Sequence, residues 1–228
     1  MTSGSTWTAQ LTSIPVPEWP GFLEAHSGLP GPRANLPLAH DAALAADETA
    51  IAVLLQHDGE FPAMCAAAAL GRRAADPADE ARARALAADP RWRVREGVAL
   101  GLQLLGDVDI DALVRLVTSW SAAPDPLVVR AAIAAICEPR LLRSEVGATA
   151  ALAACRTATE RLTVVPAAHR RDDDVRTLRQ ALGYCWSVAV AGDPTSGLET
   201  FLALDASDPD VAWVIAQNRR KKRLASLI

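Results

Sequence analysis

From Leu38 onward apolar residues recur at helical spacing, and the clearest copy of the pattern is Asp89–Leu105. Val94, Val98, Leu102 and Leu105 fall four, four and three positions apart, which places them on one helical face. Asp89 suits a helix cap, and Pro90 suits the first helical position, where its missing N–H would have no partner anyway. The same opening returns as DPLVVRAAIAAI (125–136), DDDVRTLRQALGYC (172–185) and DPDVAWVIAQN (208–218). Asp stands before Pro at Asp76, Asp89, Asp125, Asp193 and Asp208, and each dipeptide is a mechanistic start signal.

These signals predict ten helices. Asp41–Gln56 pairs with Pro62–Ala75, Pro77–Ala88 with Pro90–Leu105, and Asp109–Ser121 with Pro126–Cys137. Glu145–Leu162 then pairs with Asp173–Ala191, and Pro194–Leu204 with Pro209–Asn218. Val94 to Val129 is 35 positions, Val129 to Val175 is 46, and Val175 to Val211 is 36. A period in the mid-thirties with two helices per unit predicts an all-α solenoid of about five antiparallel pairs. The long step puts about ten extra residues in the loop TVVPAAHRRDDD (163–174), the one clear interruption of the array.

Residues 1–40 follow other rules. Pro15, Pro17, Pro20, Pro30, Pro32 and Pro37 forbid a long helix, while Trp7, Trp19 and Phe22 offer apolar surface to bury. The expectation is an irregular, Pro-rich N-terminal arm with a short helix at Trp19–His26, packed on the first repeat. The repeat domain then spans 41–228. Asn35 reads as the cap of the helix that follows GLPGPRANLPLA (28–39).

Composition changes this picture little. Hydrophobic residues are 50% of the chain but aromatics only 4%, which suits helices packed through alanine and not a β-sandwich or barrel. The longest apolar run, Ala63–Leu70, is too short to cross a bilayer, and MTSGSTWTAQ shows no secretory leader. A cytoplasmic protein without membrane association is expected. Cys65, Cys137, Cys155 and Cys185 form no C-x-x-C pair and read as buried, reduced thiols. The net charge of −4 excludes a strongly basic protein but not a local basic face. Lys221 and Lys222 are the only lysines, so arginine supplies nearly all the positive charge.

The recurring Asp-led opening with Val-Arg, seen in its D-P-x-x-V-R form at 125–130, resembles the HEAT-repeat pattern over roughly residues 41–223. That resemblance implies a right-handed α-solenoid. It also implies an Asp–Arg ladder joining Asp89, Asp125, Asp172 or Asp173, and Asp208 to Arg95, Arg130 and Arg176. Ala212 stands where the fifth unit would carry its arginine. A stripe of phosphate-binding arginines is the other reading of this series. More narrowly, GLPGPRANLPLA, WRVREGVALGLQLLGD, CEPRLL, LRQALGYCWSVAV and DVAWVIAQNRRKKRL resemble a bacterial group of HEAT-like proteins. That likeness implies a fold and carries no activity. The HEAT-like alkylpurine DNA glycosylases are similar at a greater distance.

No catalytic constellation accompanies the repeats. Asp107, Asp109 and Asp111 resemble the start of a calcium loop, but Ala112 and Thr118 stand where Gly and a bidentate Glu are required. Helix capping accounts for them. His26, His40, His57 and His169 have no metal-ligand spacing, and nucleophile-elbow, Walker and dinucleotide fingerprints are missing. Gly97 and Gly101 predict a close helix contact. No metal or other cofactor is expected.

Three groups are candidate binding residues. Arg179, Tyr184 and Trp186 set a cation and two aromatics in one helix. Trp213, Asn218, Arg219 and Lys222 bring aromatic and basic groups to the C-terminal end. Arg33 and Asn35 sit in the N-terminal turn. An aromatic core with a solvated helix end, and a turn that only anchors the arm, are the plainer readings of the same residues. The leading expectation is a non-catalytic HEAT-repeat scaffold that binds a macromolecular partner, foremost a protein, on its concave surface. The alternative is a nucleic-acid-binding or DNA base-excision protein related to the HEAT-like DNA glycosylases. A small-molecule enzyme using a groove near Tyr184 and Trp213 is the third class.

Overall fold

Side-chain caps set where most helices begin. Asp47, Asp76, Asp109, Asp125, Asp193 and Asp208 each accept a hydrogen bond from a backbone N–H of the turn they open, and Asn35 and Ser144 do the same. In the computed structural model, which describes residues 6–228, the described chain holds fourteen α-helices, two 3-10 turns and no strand. The opening five residues, part of the stretch read for a leader, lie outside the described residues. The chain divides into two compact units, Met1–Leu105 and Gly106–Ile228.

The first unit contains α1 (Thr6–Thr12), α2 (Trp19–His26), α3 (Leu36–Ala45), α4 (Glu48–Gln56), α5 (Glu60–Arg72), α6 (Pro77–Leu86) and the larger part of α7 (Trp92–Val108). Every residue of α5 from Phe61 to Gly71 is buried, as expected of a helix apolar all round. It packs against α2, α3, α4 and α6. The Pro-rich arm closes on this core. Leu11, Trp19 and Leu23 are buried, and the Trp19 indole N–H donates to the Leu11 carbonyl at 3.1 Å.

Several boundaries differ from the sequence reading by a few residues, and two of the differences have a visible cause. The helix expected over Asp41–Gln56 is divided, because Ala46 is extended (φ −71°, ψ 122°) and Asp47 caps a new helix. Asp89 does not cap a helix opening at Pro90. Its carboxylate takes the backbone N–H, Nε and a terminal nitrogen of Arg91, at 2.8–2.9 Å, and α7 starts at Trp92. Arg95 turns back to donate to the carbonyls of Asp89 and Pro90, in the turn that opens its own helix. Glycines allow α5 and α7 to touch. A Cβ at Gly97 would overlap the Met64 carbonyl oxygen, and one at Gly101 that of Ala68.

The second unit contains α8 (Ile110–Ser121), α9 (Pro126–Ile136), α10 (Glu145–Thr163), α11 (Asp173–Gly192), α12 (Pro194–Leu202), α13 (Pro209–Arg219) and α14 (Lys222–Ala225). Helix α11 is its centre, packing against α9, α10, α12, α13 and α14. It buries Val175, Leu178, Leu182, Cys185 and Trp186 through Val190. Arg176 pairs with Asp173 of its own first turn at 3.6 Å. No helix of the described residues is long and apolar enough to cross a membrane.

Candidate functional site

The middle of α11, the end of α13 and the short α14 meet at the C-terminal end of the second unit. Asn218 joins the first two. It is fully buried, its Oδ1 accepts the Ser187 N–H at 2.8 Å, and its Nδ2 donates to the carbonyls of Leu182 and Val214 at 2.9 and 2.8 Å. Burial of an amide is favourable only when its donors and acceptor are used, as they are here. Gly183 completes the contact, because a Cβ there would run into the Trp213 ring at 2.8 Å.

Beyond Asn218 the chain turns sharply. The Lys221 N–H donates to the Asn218 carbonyl at 2.9 Å, and the fully buried Leu224 anchors α14. Lys221 and Arg223 of the run Arg219–Arg223 are thereby brought onto Tyr184, which is 44% exposed. Arg223 donates to the Tyr184 hydroxyl at 2.9 Å, and its guanidinium carbon lies 5.0 Å from the ring centroid. The Lys221 ammonium stands 5.5 Å from the same centroid. Such cation–π contacts hold long, flexible cations in place, each contributing about 0.5–1 kcal/mol at an exposed site. Arg219, Arg220 and Lys222 point to solvent. None of the five forms an ion pair among the described residues, whereas Arg73, Arg82, Arg91 and Arg140 are each matched by a carboxylate.

A second cluster lies at the other end of α13. Arg179 donates to Asp210 at 2.7 Å, with its guanidinium carbon 4.9 Å from the Trp213 ring centroid. Arg170, from the inserted loop 163–174, reaches Asp208 at 2.8 Å and Asp210 at 3.2 Å. It also donates to the carbonyls of Thr163 and Val165. Burial alone would raise the Asp208 carboxyl, but the Arg170 bond and the N–H groups of Val211 and Asp210 outweigh it and hold it below its ordinary value. Arg170 and Asp208, with residues of α10 and the end of α12, line a cleft of about 730 Å³, large enough for a small ligand.

The candidate residues therefore separate by burial. Tyr184, Arg219 and Lys222 are exposed, and the cations that touch Tyr184 are their neighbours Lys221 and Arg223. Arg179 lies over the Trp213 ring and is paired to Asp210. Trp186 and Asn218 are fully buried, Trp186 with its indole N–H on Thr159 at 3.0 Å, so neither offers an atom to a partner at the surface. In the first unit Asn35 is occupied as a cap, accepting from Leu38 and donating to His26, and Arg33 is exposed in the turn that Gly28 permits at φ +75°. Sequence reasoning did not single out Asp210 or Arg170. The signals were present as an acid two positions beyond a cap and an arginine in the only insertion. No family model matches the chain, and no curated protein or solved structure matches it.

Proposed function

We propose that this protein is a HEAT-like helical-repeat scaffold that holds an anionic macromolecular partner, with the C-terminal end of the second unit as the contact surface. Two features support the repeat reading. An Asp-led opening followed by Val-Arg recurs at 94–95, 129–130 and 175–176, in the second helix of successive pairs, and within the second unit α9, α11 and α13 pack in succession, as do α8, α10 and α12.

The observation that carries the binding reading is the run Arg219–Arg223. Five adjacent cations form no ion pair among the described residues, and two of them, Lys221 and Arg223, rest on a half-exposed tyrosine, in a chain whose net charge is −4. Like charges repel, so such a cluster is unfavourable to the free protein and favourable once an anionic surface compensates it. The side chains of Arg219, Arg220 and Lys222 are exposed and form no ion pair among the described residues, so they are open to exchange without unfolding.

The test is affinity capture from the native host with the full chain and with Arg219→Glu/Arg220→Glu/Lys222→Glu. A partner retained by the wild type, lost by an equally stable triple variant and released by salt is the expected result. A partner retained equally by both proteins overturns the assignment of the surface.

A further inference from the structure

We propose that the surface around Tyr184 takes single-stranded nucleic acid. Arg219, Arg220 and Lys222 would receive phosphates, and the Tyr184–Arg223 pair would receive an unpaired base. The inference rests on the anionic-partner reading above and names the partner class.

Three observations favour a nucleic acid over an acidic protein segment. The cations are contiguous in sequence but are distributed over the end of α13, a turn and α14, which suits a backbone of regularly spaced charges. Three of the five cations are arginines, whose planar fork matches phosphate oxygens. The third is the platform itself. Arg223 lies over Tyr184 at 5.0 Å and is tied to its hydroxyl at 2.9 Å, so a flat guanidinium is held at the surface beside a 44% exposed ring. Bases stack on aromatic rings and on guanidinium planes alike, and only unpaired bases present a free face to do so. A carboxylate-bearing peptide would use the charges and leave that platform unused.

The surface is also pre-organised. Leu224 is fully buried and Asn218 fixes the end of α13, so the cations are not on a free tail. Arg223 and Lys221 are already restrained by Tyr184, which lowers the ordering cost on binding.

The experiment is fluorescence anisotropy with the full-length protein and three labelled probes of similar length: oligo-uridine, the corresponding duplex and poly-glutamate. Oligo-uridine is expected to bind tightest, with a log–log salt slope of about −2 if three phosphates are engaged. Arg220→Glu/Lys222→Glu should weaken it by about tenfold or more, and Tyr184→Ala by about tenfold. Tyr184→Phe, which keeps the ring and drops the hydroxyl, should lose much less than Tyr184→Ala. Equal binding of strand and duplex overturns the single-strand assignment. Poly-glutamate binding as tightly as oligo-uridine overturns the nucleic-acid assignment and leaves the anionic-partner reading standing. Failure of all three probes, with wild-type melting intact, overturns both.

Discussion

Asn218 on α13 accepts the backbone N–H of Ser187 on α11 at 2.8 Å, so one fully buried side chain ties together the two helices that frame the basic surface. Its amide also donates to Leu182 and Val214. Asn218→Ala removes all three bonds and leaves a small void, a loss of about 2–3 kcal/mol. Urea unfolding should show the midpoint shift with an unchanged slope. A loss under about 0.5 kcal/mol, the ordinary range for surface substitutions, would contradict the role assigned to it.

Close approach of α5 and α7 predicts an inversion of helix propensity. Alanine normally stabilises a helix interior by about 1 kcal/mol over glycine. At Gly101 the added methyl would overlap the Ala68 carbonyl oxygen, which belongs to backbone and cannot rotate away. Gly101→Ala should therefore destabilise by about 1–3 kcal/mol. Gly21→Ala, with nothing within 4 Å of the new atom, should be neutral or stabilising in the same thermal melts.

Acid should weaken the second unit through Asp208. Its carboxyl is held below the ordinary value, net of burial, by Arg170 and two backbone N–H groups. A depressed folded value means that this stabilisation is complete above the unfolded value of about 4 and is lost as pH falls through the folded one. Asp89, lowered chiefly by its hydrogen bond to Arg91, adds to the same trend in the first unit. Asp208→Asn keeps a capping oxygen but not the ion pair, so it should cost about 1 kcal/mol at neutral pH. The gap from wild type should narrow as pH falls below the ordinary carboxylate value of about 4. Denaturant titrations at several pH values would show it, and a pH-independent gap would refute it.

The four cysteines should be inert in the native protein. All are buried, and burial pushes the Cys65 thiol far above its usual value. The neighbouring Cys155 thiol together with burial raises Cys137, and contact with Cys137 together with burial raises Cys185. For Cys155 burial outweighs the bond it makes to Cys137, 3.6 Å away. Thiolate is the reactive form, so a thiol reagent should label none of them until denaturant is added, and then all four. Rapid labelling of any one under native conditions would contradict the burial.

Much of the secondary structure was legible because its causes are local. Asp76, Asp125, Asp193 and Asp208 each act as the cap that the following proline announces, and Trp19–His26 is helical over the expected range. Asp89 carries the same dipeptide but turns to Arg91, because a cap competes with whatever side chain lies within reach. The binding candidates were less legible. Tyr184, Arg179 and Trp186 share one helix in the sequence, yet one is exposed, one is paired to Asp210 and one is core.

The sequence by itself determined an all-helical chain, most of its helix boundaries and the presence of a basic end, since capping, periodicity and charge act within a few residues. Only the tertiary structure decided which of those residues meet. Asn218 became a buried tie and Arg170 a bridge to Asp208 and Asp210. Arg223 and Lys221 came to rest on Tyr184 because α14 folds back onto α11. Those pairings span 31 to 40 positions, and no local propensity encodes a contact whose partner is supplied by another helix.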